Sequence, residues 1–341
     1  MTDPSELTEA ATSTREGHRL ARQITGYAAI AGTLPYLTLK FAWLTGNDLG
    51  VTDSAFMRDT SIYALNLFTA GMDLYAIMLA VTFAHAWGQR MPAPLVLFPI
   101  WVGTGFLAPI IAGVPVVGAV VAIAGTQESG SGSEGLPLAP WVQPLVYGGF
   151  AWQGVFLLTA FLLYAKVRWA RVFSARVDAA PSPVGRWAAT GYAGVALGLL
   201  TAAVHLSRAF GSDLGLTPAL ADARTPTWYA VEGIHGLAAL AGAAGLLMLA
   251  RRTPPRWRFW IPVALAWIGA GAMFSWGFWS LVNVLGATLL AGGTSTADLA
   301  LTGAQTLGGL LLATALLRHT SQLVRDTAGS AGKSIGAGKS R

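Results

Sequence analysis

The chain has 341 residues, of which 54% are hydrophobic and only 11% charged, with a mean hydropathy of +0.54 and a formal net charge of +6. A soluble domain carries about 25% charge, so the composition is that of a polytopic membrane protein, not a nucleic-acid binder or a soluble enzyme. With no cysteine, disulfides, thiolate catalysis and Cys-ligated metals are excluded.

Residues 1–22 are polar and of mixed charge, without an apolar core, and read as a disordered cytoplasmic tail, not a signal peptide. Apolar runs near the ~20 residues that cross a bilayer follow at 23–44, 62–86, 95–124 and 141–165. Four more stand at 187–207, 228–250, 259–281 and 298–317. The expected fold is therefore all-α, a bundle of eight transmembrane helices. The run at 95–124 contains Pro99, Pro109 and Pro115, which membrane helices tolerate where neighbours satisfy the freed backbone groups. A Gly/Ser/Glu-rich stretch at 125–140 reads as an outer excursion, and the basic, Trp-containing 166–186 as a cytoplasmic linker. Residues 318–341 read as a second disordered cytoplasmic tail.

Orientation follows from the cations. With the N-terminus cytoplasmic, 18 of the 22 Lys and Arg residues fall on the inner side. The outer segments keep Arg58, Arg208 and Arg224 and hold acids such as Asp48, Asp53, Asp59, Asp213, Asp222 and Asp298. Both termini are expected inside a multi-pass plasma-membrane protein, with the +6 charge facing anionic lipid.

The two halves are similar. At an offset of 165, residues 26–52 and 191–217 share 10 identities in 27 positions. Gly26-Tyr27-Ala28 matches Gly191-Tyr192-Ala193, and Gly46, Asp48, Leu49 and Gly50 match Gly211, Asp213, Leu214 and Gly215. Gly71 aligns with Gly233, Trp101 with Trp267, and Gly154 with Gly309. Two four-helix repeats, 23–165 and 187–317, are expected. Four is an even number, so both share one orientation, related by an axis along the membrane normal.

The pattern of Lys40 or His205, an aromatic three residues on, and a Gly-rich turn ending in Leu-Gly resembles an actinobacterial family of small four-helix membrane proteins of unknown function. The resemblance covers mainly 26–52 and 191–217 and implies a tandem duplication of such a unit. It brings no known activity or cofactor. Arg208 departs from the pattern, standing where the first half has the aromatic Trp43.

Ionisable groups within spans cost about 2.5–3.5 kcal/mol at the helix centre and often mark function. They are Lys40 and Asp73 in the first half and His205, Glu232 and His235 in the second, with Arg208 at the outer rim. Lys40 aligns with His205 and Asp73 with His235. At 1.5 Å per residue these groups reach similar heights, which predicts a polar pocket in the outer half of the bundle. Asn66, seven residues before Asp73, shares its helix face and is expected to orient it. Glu232 and His235 are i, i+3 neighbours. They and His205 are ligand types that suit a mononuclear metal, yet the same residues also serve as two structural clamps, Lys40–Asp73 and His205–Glu232–His235. No metal or cofactor is assigned. Trp101, Trp267, Trp276 and Trp279 lie deeper than the interfacial tryptophans, and aromatic walls with a few polar groups are the usual form of a small-molecule site.

Three functions fit. The first is an intramembrane isomerase or cyclase for a lipophilic, isoprenoid-like molecule. In it Glu232, His235, Asp73 and His205 supply acid and base, and Lys40, Asn66, Arg208 and the deep tryptophans bind substrate. The second is a small-molecule or proton-coupled permease using the same cluster. The third is a structural or partner-binding subunit. The sequence leaves the oligomeric state open. Its expected partners are the bilayer and a lipophilic small molecule, with no nucleic acid.

Overall fold

The computed structural model describes residues 4–124, 137–180, 186–291 and 294–337. Among them every regular element is helical, and the β-type pairing is confined to two isolated bridges, Val51–Leu138 and Arg176–Arg258. The chain divides after Arg168 into two compact units. Most of the 125–140 excursion lies outside the described residues. The segments expected as tails are helical where described, as extensions of the first and last helices over 4–22 and 318–337.

The first unit contains α1 (Pro4–Leu44), the short α2 (Ser54–Arg58), α3 (Thr60–Ala84), α4 (Ala93–Ala124) and α5 (Val142–Arg168). A 3-10 turn, Ala86–Arg90, separates α3 from α4. The second unit contains α6 (Ala170–Ser174), α7 (Arg186–Ala209), α8 (Pro218–Asp222), α9 (Pro226–Arg251), α10 (Trp260–Leu285) and α11 (Thr296–Ala337).

Seven helices are long and apolar enough to cross a membrane: α3, α4, α5, α7, α9, α10 and α11. The chain is thus a helical, multi-pass membrane protein. The eighth expected span, 23–44, lies in α1 but is not among the seven. Thr25, Thr33, Thr38, Tyr27, Tyr36, Pro35 and Lys40 dilute its apolar content.

In the first unit α1 packs on α3 and α5, and α5 on α4, while α3 and α4 meet only sparsely. Glycine permits the close approaches. A Cβ at Gly26 would lie 2.8 Å from the Ala80 carbonyl oxygen, and one at Gly32 would lie 2.6 Å from Trp152 Cδ1. Arg22 fastens the start of the apolar part of α1 to the end of α3, donating to the carbonyls of Phe83 at 2.7 Å and His85 at 3.0 Å. Only 17% of the α4 span is buried within the protein, against 39% of α3. The α4 stretch beyond Pro109 is largely exposed.

The second unit is a closed ring in which α7, α9, α10 and α11 each pack on two neighbours. Half of the α10 span is buried (50%), because small residues let the backbones touch, as expected for helices that associate in lipid. A Cβ added at Gly269 would stand 2.3 Å from both the Ala238 oxygen and the Gly242 nitrogen. One at Gly245 would stand 2.5 Å from the Ala266 nitrogen.

These contacts set two expectations. Gly269→Ala has no room and lowers stability by about 1–3 kcal/mol, the usual cost of overpacking, in thermal unfolding of the purified protein. Gly71→Ala, where a Cβ meets nothing within 4 Å, leaves the midpoint unchanged or raises it. The second concerns Asp59, which caps α3. Its carboxylate accepts from the Ser61 hydroxyl at 2.5 Å and from the amides of Ser61 and Ile62 at 2.8 and 3.3 Å. The Ser61 hydroxyl, then the two amides, hold its pKa below the usual carboxylate value. A lowered folded-state pKa gives stability that is present above the unfolded value and lost as pH falls through the folded one. Amide exchange at Ser61 and Ile62 should therefore accelerate as pH drops below the ordinary Asp range, beyond the intrinsic trend, and Asp59→Asn should abolish that dependence.

Candidate functional site

The two Gly-x-Asp-Leu-Gly turns share a backbone path that requires their glycines. Gly46 and Gly50 have φ of 85° and 74°, Gly211 and Gly215 of 96° and 75°, a region open mainly to residues without a Cβ. The hydrogen bonds repeat as well. Gly46 N donates to Trp43 O, Asn47 N to Ala42 O and Val51 N to Asp48 O. In the second unit Gly211 N donates to Arg208 O, Ser212 N to Ser207 O and Leu216 N to Asp213 O. These are the same bonds displaced by 165 positions.

The departure of Arg208 from the aromatic pattern has a physical explanation. Trp43 Nε1 donates to the Leu49 carbonyl at 2.8 Å, and Arg208 Nε donates to the matching Leu214 carbonyl at 2.9 Å. A planar N–H at this position pins the turn in both units, and indole and guanidinium serve alike. The next carbonyl is also tied in both. Ala139 N donates to Gly50 O at 2.8 Å and Ser295 Oγ to Gly215 O at 2.7 Å. Arg208 adds an ion pair, Nη2 to Asp298 Oδ1 at 2.7 Å, that the tryptophan cannot make.

Three residues before each pin stands the ionisable group. Lys40 is fully buried, at 0% exposure. Its Nζ donates to Thr69 Oγ1 on α3 and lies 4.1 Å from the ring centre of Tyr36. A desolvated cation–π contact contributes roughly 2 kcal/mol and a charge-assisted hydrogen bond about 1.5–3. Together they offset the roughly 2.5–3.5 kcal/mol cost of the ion in lipid. The expected Lys40–Asp73 clamp is not a direct ion pair, since among the described residues none joins them, although the two charges lie close enough to interact through space. Asp73 sits one helical turn beyond Thr69 on the same face of α3. It is 6% exposed, and its Oδ2 has no hydrogen-bond partner. Nor does Asn66 orient it. Seven residues span about 10 Å of helix, and Asn66 Nδ2 turns instead to Met57 Sδ at 3.7 Å.

The second unit gathers its groups into one layer. His205 Nδ1 lies 2.8 Å from Glu232 Oε2, and its Nε2 lies 3.0 Å from Gln305 Oε1. The carboxylate and the Gln305 side-chain amide thus engage both ring nitrogens. The His235 ring packs against His205 at 5.7 Å between centroids and against Trp276 at 5.2 Å, edge to face. Thus α7, α9, α10 and α11 each contribute a side chain to the layer. It arises because antiparallel neighbours bring residues near the turn end of one helix opposite those near the turn end of the next.

Of the deep tryptophans Trp276 joins this layer. Trp267 is nine residues back along α10, about 13 Å by helical rise. Trp279 is on the same helix three residues further toward the turn, and Trp101, in the first unit, packs beside Phe98 at 6.2 Å. Gln305, Thr69 and Tyr36 were missed by an inventory limited to charged and titratable groups. Their only signal in the sequence was polarity inside apolar runs. Among the described residues no cluster of His, Asp and Glu converges as metal ligands, and both His205 nitrogens are already engaged.

Fold and site together define a class, a helical multi-pass membrane protein with an interior polar group in each of two units. Comparison with protein-family models, with curated proteins and with solved structures finds no match for this chain.

The two pins differ in strength, which gives a test. Arg208→Leu removes a hydrogen bond and breaks an ion pair of which Arg208 is 6% and Asp298 22% exposed, and should cost about 3 kcal/mol. Trp43→Phe loses one neutral hydrogen bond, about 1 kcal/mol. Thermal unfolding, with amide exchange at Gly211–Gly215 and Gly46–Gly50, reads both.

Proposed function

We propose that this chain is an intramembrane acid/base enzyme, of isomerase or cyclase type, acting on a lipophilic small molecule in the outer leaflet of the plasma membrane. Asp73 is the acting group. The observation that carries this reading is a buried carboxylate with one unpartnered oxygen, next along its helix to the residue that holds a buried lysine. Thr69 and Tyr36 hold Lys40 by a hydrogen bond and a cation–π contact, while Asp73 interacts with its charge through space without an ion-pair contact, which leaves the carboxylate oxygen open. A carboxyl group in such a setting takes a proton at one carbon and returns it at another. Lys40, held over the Tyr36 ring, stabilises the negative charge that develops on the substrate. The reaction is redox-neutral and consumes no cofactor.

The same reading has 23–44 as an eighth span and two four-helix repeats of one orientation, with both termini cytoplasmic. The matched turns and their matched pins support the repeat, and the distribution of Lys and Arg supports the orientation. The compensation of Lys40 by Thr69 and Tyr36 supports the crossing of 23–44. A proton-coupled permease is disfavoured within the second unit. Below its polar layer, Gly242 and Gly269 bring α9 and α10 into backbone contact, which closes the seam between those two helices.

One observation favours a different reading. His205 in the second unit has both ring nitrogens bonded, the saturation expected of a structural or partner-binding subunit. The test uses lipid extracts from cells lacking the protein, complemented with wild type, Asp73→Asn or Glu232→Gln. The enzyme reading expects an isomer pair of equal mass whose ratio wild type restores and Asp73→Asn does not, with turnover down about 10²–10⁴-fold. Asp73→Asn should leave the thermal midpoint equal or higher. Full restoration by Asp73→Asn, or extracts that do not differ between null and wild type, would sink it. The subunit reading instead expects Asp73→Asn to complement and a co-purifying partner to be lost with Glu232→Gln.

A further inference from the structure

We propose that the second unit binds the anionic headgroup of a phospholipid in a cleft at its basic end, opposite the polar layer. The cleft lies among α7, α9 and α11, at the height where α9 ends in Arg251, and has a volume of ≈ 80 Å³. Its apolar wall includes Val195 and Leu246, and its polar wall Tyr192, Arg318, His319 and Gln322. Arg318 and Gln322 are exposed at its rim, while His319 is 94% buried in its wall, being 6% exposed.

Size and charge select the occupant. A site for a whole drug-sized molecule measures about 300–1,000 Å³, so this cleft takes only part of one. A phospholipid fits that description, because its remaining bulk stays in the bilayer. The stretches 186–195, 246–252 and 315–325 carry no acidic residue, although Asp326 follows directly, whereas Arg318 lines the cleft and Arg251 and Arg325 stand on the same helices. A basic pocket between membrane helices with apolar walls suits an anionic headgroup with its first methylenes.

The first unit shows that the opening is not a general consequence of the helix arrangement. At the sequence-matched position, a Cβ on Gly26 would meet the Ala80 oxygen at 2.8 Å and Ala84 Cβ at 2.9 Å. Arg22 there is spent on the carbonyls of Phe83 and His85. At Gly191 the same Cβ would meet Ala315 and Leu246 only at 3.5 and 3.7 Å. The first unit is closed where the second is open.

The test is native mass spectrometry and thermal unfolding of the full chain in nonionic detergent, titrated with phosphatidylglycerol, phosphatidylcholine or inorganic phosphate. Phosphatidylglycerol should bind and raise the midpoint, and phosphatidylcholine should do so at least tenfold more weakly. Arg318→Gln, at an exposed position that does not threaten folding, should weaken phosphatidylglycerol about fivefold, the equivalent of ~1 kcal/mol for one surface cation. Gly191→Leu fills the cleft and should abolish the specific adduct. Equal binding of the two lipids, or an unchanged affinity in Arg318→Gln, overturns the proposal. So does inorganic phosphate that reproduces the full stabilisation, since the site would then hold a free anion and not a lipid.

Discussion

A polar side chain that enters a bilayer has no water to fall back on, so its partner must come from the protein. Most of the local architecture follows from how each buried group meets that requirement. Arg22 takes the carbonyls at the end of α3, and Trp152 donates to the Ala28 carbonyl at 2.9 Å. Arg168 reaches the Tyr164 hydroxyl and the Met91 carbonyl. Each of these side chains reaches the backbone of another helix or turn, and for Arg22 and Arg168 that backbone lies at a helix end or in a turn. The turn pins are the same principle applied twice. Because the backbone carbonyl fixes the geometry, the donor's chemical class is free to change, and Trp43 and Arg208 do one job.

Packing follows a second rule that differs between the units. Where small residues face one another, as Gly242 faces Gly269, backbones meet and the ring of helices closes. Where α4 carries Pro109 and Pro115, its far stretch lies exposed and α3 loses a close neighbour on that side. Neither effect is hydrophobic in the aqueous sense, since lipid tails are as apolar as the side chains they replace. Shape decides.

The helical class was legible because uninterrupted apolar runs of near-spanning length have few other uses. So was the pairing of the two turns, since glycine at positive φ leaves a spaced mark in the sequence. Partner choice was not legible. Lys40 and Asp73 carry opposite charges at neighbouring heights, and pairing them was the natural inference, yet a threonine hydroxyl and a tyrosine face satisfy the lysine instead. Hydroxyls and amides such as Thr69 and Gln305 are cheap enough in lipid to escape an inventory of charges, and they decide which charge goes where. The run 23–44 shows the converse, as the polar residues that lower its hydropathy include two, Tyr36 and Lys40, that satisfy each other in the interior.

The contrast between the two interior groups then becomes one of energetics. His205 has a partner on each ring nitrogen, so removing Glu232 exposes a cost and the layer behaves as structure. Asp73 already bears its cost. An unpaired buried polar atom lowers stability by about 1–3 kcal/mol, in a protein whose whole margin is of the order of 5–15. An apolar or amide side chain at that position would relieve this penalty, at the expense of the attraction between the carboxylate and the nearby Lys40. A buried group whose hydrogen-bonding capacity is left unmet at a cost to its own fold is the mark of a site kept for chemistry rather than assembly. By that criterion His205 and its partners act as structure in the second unit, and the unpartnered Oδ2 of Asp73 is the observation on which the proposed acid/base role rests.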